Sequence, residues 1–148
     1  MAYQKVSIII PTWNGEEYLK KCIPPLLSQD YKHIEIIVVD NASTDNTIEF
    51  LKKTHPKVKI IKNKKNLGYA GAVNVGVKSS KNNFIAILNN DTQVDKKWLT
   101  EMLDLMEKDD TTAIVGSNIQ NLSGYKESTL GSFISLLGDP SPPHSNDK

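Results

Sequence analysis

Val6-Ser7-Ile8-Ile9-Ile10-Pro11, close to the beginning of the chain, is the stretch of sequence that decides the fold. Four of the five residues before Pro11 are both β-branched and apolar, and the proline ends the run. A strand with apolar side chains on both faces is typical of a parallel sheet that is covered on both sides. The stretch therefore predicts a strand buried in the interior of an α/β domain.

Further apolar runs follow along the chain, and segments with helical spacing separate them. The runs are residues 34–39, 58–61, 84–88 and 113–119, and the predicted helices are residues 16–28, 43–53, 68–78 and 94–107. Pro24 and Pro25 are expected to kink or break the first helix, and Ser43 to cap the second. This alternation predicts an α/β fold with an open, mostly parallel sheet, right-handed crossovers and helices on both faces.

The length and composition describe a globular protein of an ordinary kind. The chain has 148 residues, and its 18 lysines, with no arginine, stand against 17 acidic residues, a formal net charge of +1. This near-balance argues against a nucleic-acid-binding protein, which usually carries a marked basic excess. No apolar run approaches the roughly 18 residues of a membrane span, and the single cysteine, Cys22, suits a reducing cytoplasm.

Polar residues follow each of the first four predicted strands. These segments are Thr12-Trp13-Asn14-Gly15, Asp40-Asn41-Ala42-Ser43, residues 63–68 and Asn89-Asn90-Asp91-Thr92. Turn formers and helix caps end many strands in this way, so a single polar segment indicates little. The carboxyl ends of parallel strands share one edge of the sheet, where ligands bind in open α/β folds. Four polar segments at that edge favour a ligand site.

The same segments exclude several common classes of α/β protein. No Gly-x-Gly-x-x-Gly follows the first strand, and the chain has neither a phosphate-binding loop of the Walker type nor a Gly-x-Ser-x-Gly elbow. Its three histidines are scattered along the sequence, which argues against a histidine-built metal site or a catalytic histidine. A dinucleotide-binding domain, a phosphate-loop NTPase and an α/β-hydrolase are therefore excluded.

Three residues at the strand ends have side chains suited to a nucleotide. Asp40 can accept a hydrogen bond from the imide of uracil or thymine, although a carboxylate there can equally form a turn or a cap. Asp91 can share Mg²⁺ or Mn²⁺ with a diphosphate, because these ions take only one or two protein carboxylates. A metal is plausible in a chain with no arginine to hold a diphosphate in a bidentate pair. Trp13 can stack on a base or serve as a packing residue.

Four segments together resemble the ordered motifs of family 2 glycosyltransferases. They are residues 6–19, 35–45, 66–76 and 88–92, and the resemblance covers roughly residues 4–120. It is strongest to the rhamnosyltransferase-like branch, where Asn-x-Asp often replaces Asp-x-Asp, as in Asn89-Asn90-Asp91. The resemblance implies a GT-A fold, a nucleotide-diphospho-sugar donor such as a UDP- or TDP-sugar, a divalent metal, Mg²⁺ or Mn²⁺, and inversion at the anomeric carbon.

The resemblance also implies a role for each matching residue. Pro11, Thr12 and Trp13 would line the base pocket, Asp40 would bind the base, Asn66 and Gly68 would form a wall of the nucleotide-sugar site, Asn90 would approach the ribose, and Asp91 would bind the metal. Because Asn89 replaces the first aspartate, the site carries less negative charge. We therefore expect low metal affinity before the diphosphate binds.

The resemblance fades towards the end of the chain. We expect residues 1–120 to form the nucleotide-sugar-binding domain, and residues 121–148 to be the incomplete start of an acceptor-binding part with a disordered tail over residues 138–148. No candidate for the general base matches the family, so we expect that base outside this chain and the GT-A fold to be truncated.

The leading hypothesis is the donor-binding part of a metal-dependent enzyme of cell-envelope polysaccharide biosynthesis. Its acceptor would be a glycan or a lipid-linked molecule, and its location the cytoplasm or the inner face of the membrane. A catalytically silent nucleotide-binding module with a regulatory or scaffolding role is the alternative. A nucleotidyltransferase is a weaker one, because that class needs a glycine-rich loop with a basic residue after the first strand.

Overall fold

A computed structural model of the protein describes residues 5–108, 111–117, 133–134 and 140–141. Its first eight elements are β1 (Val6–Thr12), α1 (Glu16–Leu27), β2 (Ile34–Asp40), α2 (Thr47–Thr54), β3 (Lys59–Lys62), α3 (Gly68–Ser79), β4 (Phe84–Ile87) and α4 (Trp98–Glu107). Two short strands, β5 (Phe133–Ile134) and β6 (Pro140–Ser141), pair with each other in the antiparallel sense. The chain divides into two compact units, Met1–Leu99 and Thr100–Lys148.

The first unit contains a four-stranded, all-parallel sheet in the order β3-β2-β1-β4. The chain steps from β1 to β2 to β3 in one direction and then returns across the sheet to β4. With right-handed crossovers, that reversal places α3 on the face opposite to α1 and α2. The predicted open α/β sheet with helices on both faces is therefore confirmed.

Both faces of the central strands are buried. Ile9, Ile37 and Val39 pack with Ala72 of α3 on one face. On Gly76 of α3, an added Cβ would lie 2.3 Å from Ile9 Cγ2 and 3.1 Å from Val39 Cγ2, so only glycine allows the helix to approach this closely. The side chains that alternate with these along the strands, Ile8, Ile10 and Val38, point to the other face and are also fully buried. The buried sides of α1 and α2 supply apolar cover for that face. They consist of Leu19, Cys22, Ile23, Leu26, Ile48 and Leu51.

Two expectations about the helices differ from the structure. Helix α1 is not broken at Pro24 and Pro25 but continues to Leu27, with Ser28 N donating to Pro24 O at 3.1 Å, and a kink at the prolines stays a prediction. The prolines remove two helical donors, but the carbonyls that lose them belong to exposed residues at positions 20 and 21, where water can replace the lost bond. Helix α2 begins at Thr47, so Ser43 lies too far upstream to cap it.

The predicted strand at residues 113–119 does not form over its described part. Residues 112–117 lie in no strand, and Ile114 is 88% exposed. A β-branched sequence becomes a strand only where a neighbour supplies a ladder and a surface to pack on, and no described strand pairs with these residues. Residues 118–119 lie outside the described residues.

The structure describes two residues of the predicted tail. Residues 140–141, which we expected to be disordered, form β6 against β5. The rest of the predicted tail, and the predicted domain boundary at residues 120–121, lie outside the described residues. Within the described parts of the chain, no helix has the length and apolar character needed to cross a bilayer.

Candidate functional site

Two adjoining clefts open at the carboxyl ends of the strands in the first unit. The larger, which we call the Asp91 cleft, has a volume of about 540 Å³ and is lined by Pro11, Tyr69, Asn89, Asn90 and Asp91. The smaller, which we call the Trp13 groove, has a volume of about 300 Å³ and is lined by Pro11, Thr12, Trp13, Tyr18, Asn41, Asn66, Gly68, Tyr69 and Asn90. The strand-end segments thus meet at one place, as expected for an open parallel sheet.

Seven of the eight predicted site residues line these clefts. Six lie in the Trp13 groove (Pro11, Thr12, Trp13, Asn66, Gly68 and Asn90), and Asp91 lies in the cleft that bears its name. Asp40 lines neither cleft. Its side chain is fully buried, and both carboxylate oxygens accept the backbone N–H of Ser43 at 3.3 Å. The geometry gives Asp40 the turn-forming role that the sequence left open, and contact with a base stays a prediction.

A hydrogen bond joins the ends of β1 and β4 inside the site. Asn90 Nδ2 donates to Thr12 Oγ1 at 2.9 Å. Gly15 lies directly against this bond, because an added Cβ would come within 2.1 Å of Thr12 Oγ1 and 2.6 Å of Asn90 Nδ2. Any larger residue at position 15 would therefore displace one of the two side chains.

The loops after β1 and β2 are bound to each other by side chains. Asn14 N donates to Ser43 Oγ at 2.8 Å, and Thr44 N donates to Asn14 Oδ1 at 2.8 Å. Asn14 has a φ of 49°, in the left-handed region that asparagine tolerates better than most residues. Ser43, predicted as a helix cap, instead fixes the loop that carries Trp13.

Asp45 extends this link between the two loops. It accepts hydrogen bonds from the backbone N–H and the hydroxyl of Thr47, and the Thr47 hydroxyl oxygen accepts the N–H of Gly15 at 3.0 Å. Partial desolvation acts to raise the pKa of Asp45, but the hydrogen bonds from Thr47 and from the Glu16 amide outweigh it and hold the pKa below its usual value. The carboxylate therefore stays ionised and bonded at neutral pH.

Asn41 holds the third loop of the site in place, a role that the sequence did not reveal. Its Oδ1 accepts from Asn63 Nδ2 at 2.8 Å and from Leu67 N at 3.3 Å, while its Nδ2 donates to Gly68 O at 3.1 Å. Tyr18 and Tyr69 were also missed as lining residues. Asn41 directly follows Asp40 and Tyr69 directly follows Gly68, so their positions next to predicted site residues could have identified both.

A buried thiol lies beneath the Asp91 cleft. Cys22 Sγ lies 3.8 Å from the carbonyl oxygen of Asn89, close enough for a weak hydrogen bond to sulfur. Burial, with a smaller contribution from the negative charge of Asp91, raises the pKa of Cys22 to about 12. The thiol is therefore protonated at neutral pH and acts as a packing group, not as a nucleophile.

The donor atoms at the Asp91 cleft fit a magnesium or manganese ion. Asp91 is the one carboxylate among the described lining residues, and Asn89 adds an amide oxygen. The described residues contain no cluster of three or more histidine, cysteine or acidic side chains, as a metal site built by the protein alone would need. Hard oxygen donors with a single carboxylate suit Mg²⁺ or Mn²⁺ when phosphate oxygens and water complete the coordination.

Comparison with known proteins agrees with this architecture. Residues 7–146 match the model of the family described as Glycosyl transferase family 2. A protein of Haemophilus influenzae named as an uncharacterized glycosyltransferase is 30% identical over 130 residues, which cover 86% of this chain and 40% of that protein. A chondroitin synthase of Pasteurella multocida is 32% identical over 121 residues, 80% of this chain and 12% of the synthase.

Solved structures show the same fold. Staphylococcus aureus TarS, solved in complex with UDP-GlcNAc, superposes with a TM-score of 0.65 at 28% identity, covering 70% of this chain and 31% of the TarS chain. This chain therefore spans less than half the length of each of these relatives. Since the family model matches nearly the whole chain, and since the fold is that of GT-A glycosyltransferases, the protein belongs to glycosyl transferase family 2.

Proposed function

We propose that this chain forms the donor-binding part of a glycosyltransferase that transfers a sugar from a nucleotide-diphospho-sugar to a glycan or lipid-linked acceptor. The observation that carries the proposal is the meeting of polar and aromatic residues from separate strand ends in two adjoining clefts. One cleft offers aromatic faces and the other a carboxylate, as a base linked to a diphosphate requires.

The Trp13 groove is suited to the nucleoside. Trp13, Tyr18 and Tyr69 line it and are 57%, 55% and 56% exposed, so more than half of each residue is accessible to a ligand. Aromatic stacking on a base contributes roughly 1–3 kcal/mol. Asn90 uses its amide N–H on Thr12, so its amide oxygen can accept from a ribose hydroxyl. The complex of TarS with UDP-GlcNAc supports a donor of this class.

The Asp91 cleft is suited to the diphosphate. Asp91, with Asn89 beside it, would hold a divalent ion, which would offset the negative charge on the departing nucleoside diphosphate. The chain contains no arginine that could bind the diphosphate through paired hydrogen bonds, and this favours binding of that charge by a metal ion. The finding that the donor atoms present fit Mg²⁺ or Mn²⁺ supports metal dependence.

The finer assignments follow from the resemblance and from the relatives. We infer inversion at the anomeric carbon, with the acceptor hydroxyl deprotonated by a general base outside the described residues. The Asn89-Asn90-Asp91 sequence supports the rhamnosyltransferase-like branch. Similarity to a chondroitin synthase supports a role in polysaccharide biosynthesis, which we assign to the cell envelope and to the cytoplasmic side of the membrane.

Calorimetric titration of the chain with UDP and TDP, with and without Mn²⁺, tests the proposal. We expect the chain to bind these nucleotides and Mn²⁺ to strengthen the binding. In Asp91→Ala, we expect Mn²⁺ to have no such effect. Asp104→Ala removes an exposed carboxylate on α4 and serves as the matched control. Removing either exposed carboxylate should shift stability by no more than about 0.5 kcal/mol, so both variants should melt like the wild type.

Three results would contradict the proposal. Unchanged nucleotide affinity in Asp91→Ala would refute the metal role. No binding of either nucleotide by the wild type would refute the donor site as a whole. Binding without any hydrolysis or transfer of a UDP- or TDP-sugar, even when the chain is joined to an acceptor-binding part, would favour the silent regulatory module.

A further inference from the structure

Tyr69 lies where the two clefts join. Among the residues that the structure describes, three line both clefts, and of these Pro11 is buried, Asn90 is half-buried and Tyr69 is 56% exposed. Trp13 and Tyr18, which are equally exposed, line the Trp13 groove alone. Tyr69 is thus the aromatic residue positioned to touch a ligand that passes from one cleft into the other.

The backbone before Tyr69 is fixed by side-chain hydrogen bonds. Asn66 Oδ1 accepts the N–H of Gly68 at 2.8 Å, and Asn41 Nδ2 donates to the carbonyl of Gly68 at 3.1 Å. Gly68 has a φ of 71°, which glycine adopts without strain. Helix α3 begins at Gly68, so Tyr69 stands in its first turn. Because this loop is held in place before any ligand arrives, little further ordering of it is needed on binding.

The chemistry of a tyrosine side chain matches the middle of a nucleoside diphosphate. With the base in the Trp13 groove and the metal-bound phosphate at Asp91, the ribose and the first phosphate lie between the clefts. The ring of a tyrosine packs well against the C–H face of a sugar, and its hydroxyl is a hydrogen-bond donor for a phosphate oxygen. A neutral donor is of particular value in a chain with no arginine.

We propose that Tyr69 is a donor-binding residue that spans the junction, with its ring against the ribose and its hydroxyl donating to the diphosphate. This role rests on the proposed function. It predicts that the ring contributes to the binding of every nucleotide form, whereas the hydroxyl contributes only when a diphosphate is present.

The test compares uridine and UDP as ligands of the full chain, each measured by calorimetry in the presence of Mn²⁺. Tyr69→Phe should leave uridine affinity unchanged and weaken UDP about tenfold, the effect of losing one hydrogen bond to a charged group. Tyr69→Ala should weaken both ligands. Tyr18→Phe is the matched control, because Tyr18 has the same exposure but lines only the Trp13 groove, and it should affect the two ligands equally.

The outcomes separate this role from the proposed function. Wild-type protein that binds neither uridine nor UDP would overturn both. If the wild type binds UDP and Tyr69→Phe binds it equally well, the hydroxyl contact is refuted. If Tyr69→Ala has unchanged affinity for both ligands, the whole proposed role of Tyr69 is refuted. Thermal melting of each variant checks that the fold is intact, as expected for an exposed side chain.

Discussion

The side-chain amide of Asn90 donates to the hydroxyl of Thr12 at 2.9 Å, which joins the segment after β4 to the end of β1. Thr12 is 3% exposed, so the bond lies within the floor of the site, and it sets the orientation of the Asn90 amide. Asn90 immediately precedes Asp91, so this bond links the position of the proposed metal ligand to β1, one of the two inner strands of the sheet.

Gly15→Ala should break this arrangement. The added methyl would come within 2.1 Å of Thr12 Oγ1, so either the Thr12–Asn90 bond or the loop after β1 must move. We expect a loss of about 1–3 kcal/mol in the free energy of unfolding, together with weaker UDP binding. Denaturant titration and calorimetry measure the two effects. Gly116→Ala, where a Cβ would meet no atom within 4 Å, is the control, and equal behaviour of the two variants would show that the contact is unimportant.

Asp40 has a structural role that can be separated from its predicted role in base recognition. Asp40→Ala leaves the half-buried N–H of Ser43 without its carboxylate partner, which should lower the free energy of unfolding by about 1–3 kcal/mol. Asp40→Asn keeps an acceptor oxygen and should lose less. Chemical denaturation of the two variants measures this difference, and an Asp40→Ala protein as stable as the wild type would contradict the turn-forming role.

The base-recognition role of Asp40 has its own readout. A carboxylate that accepts from an imide N–H should favour UDP or TDP over ADP, because adenine offers no such group between two carbonyls. Competition binding of UDP against ADP measures the preference. Equal affinity for the two nucleotides would refute base recognition by Asp40 and leave only its turn-forming role.

Cys22 should make stability depend on alkaline pH. Its pKa is raised to about 12 in the folded protein from 9.0, so the folded state keeps a proton that the unfolded chain loses first. The stabilisation is complete below pH 9 and is lost as the pH rises from 9 towards 12. At pH 10 the loss is about 1.4 kcal/mol.

The measurement is the free energy of unfolding at pH 8 and pH 10 for the wild type and for Cys22→Ala. Other groups titrate in this range, but they are shared by both proteins, so the difference between the two pH dependences isolates the thiol. The variant should lose less stability than the wild type on going to pH 10. Identical losses, or rapid alkylation of Cys22 in the native protein, would show that the thiol is not buried as described.

Much of this protein could be predicted from the sequence because the decisive signals are local. Short, β-branched apolar runs without alternation, such as Ile8-Ile9-Ile10, favour strands covered on both faces, and helices between such strands favour parallel pairing. Parallel pairing in turn brings the strand ends to one edge. For this reason the polar segments that follow the strands were expected at one edge of the sheet. The resemblance to family 2 glycosyltransferases then singled out residues within those segments, and those that line the two clefts are Pro11, Thr12, Trp13, Asn66, Gly68, Asn90 and Asp91.

The tertiary structure alone decided which side chains line the clefts and which support the loops. Asp40 and Asn41 are adjacent, yet Asp40 is turned inward to Ser43 and Asn41 lines the groove and binds Gly68. Ser43 was expected to act within its own helix, but its hydroxyl accepts from Asn14, 29 positions away. Such bonds join segments that are distant in the sequence, and their geometry follows from the packing of the whole sheet. Local patterns determine elements and their order, whereas the direction of a polar side chain depends on which partner the fold brings within about 3 Å.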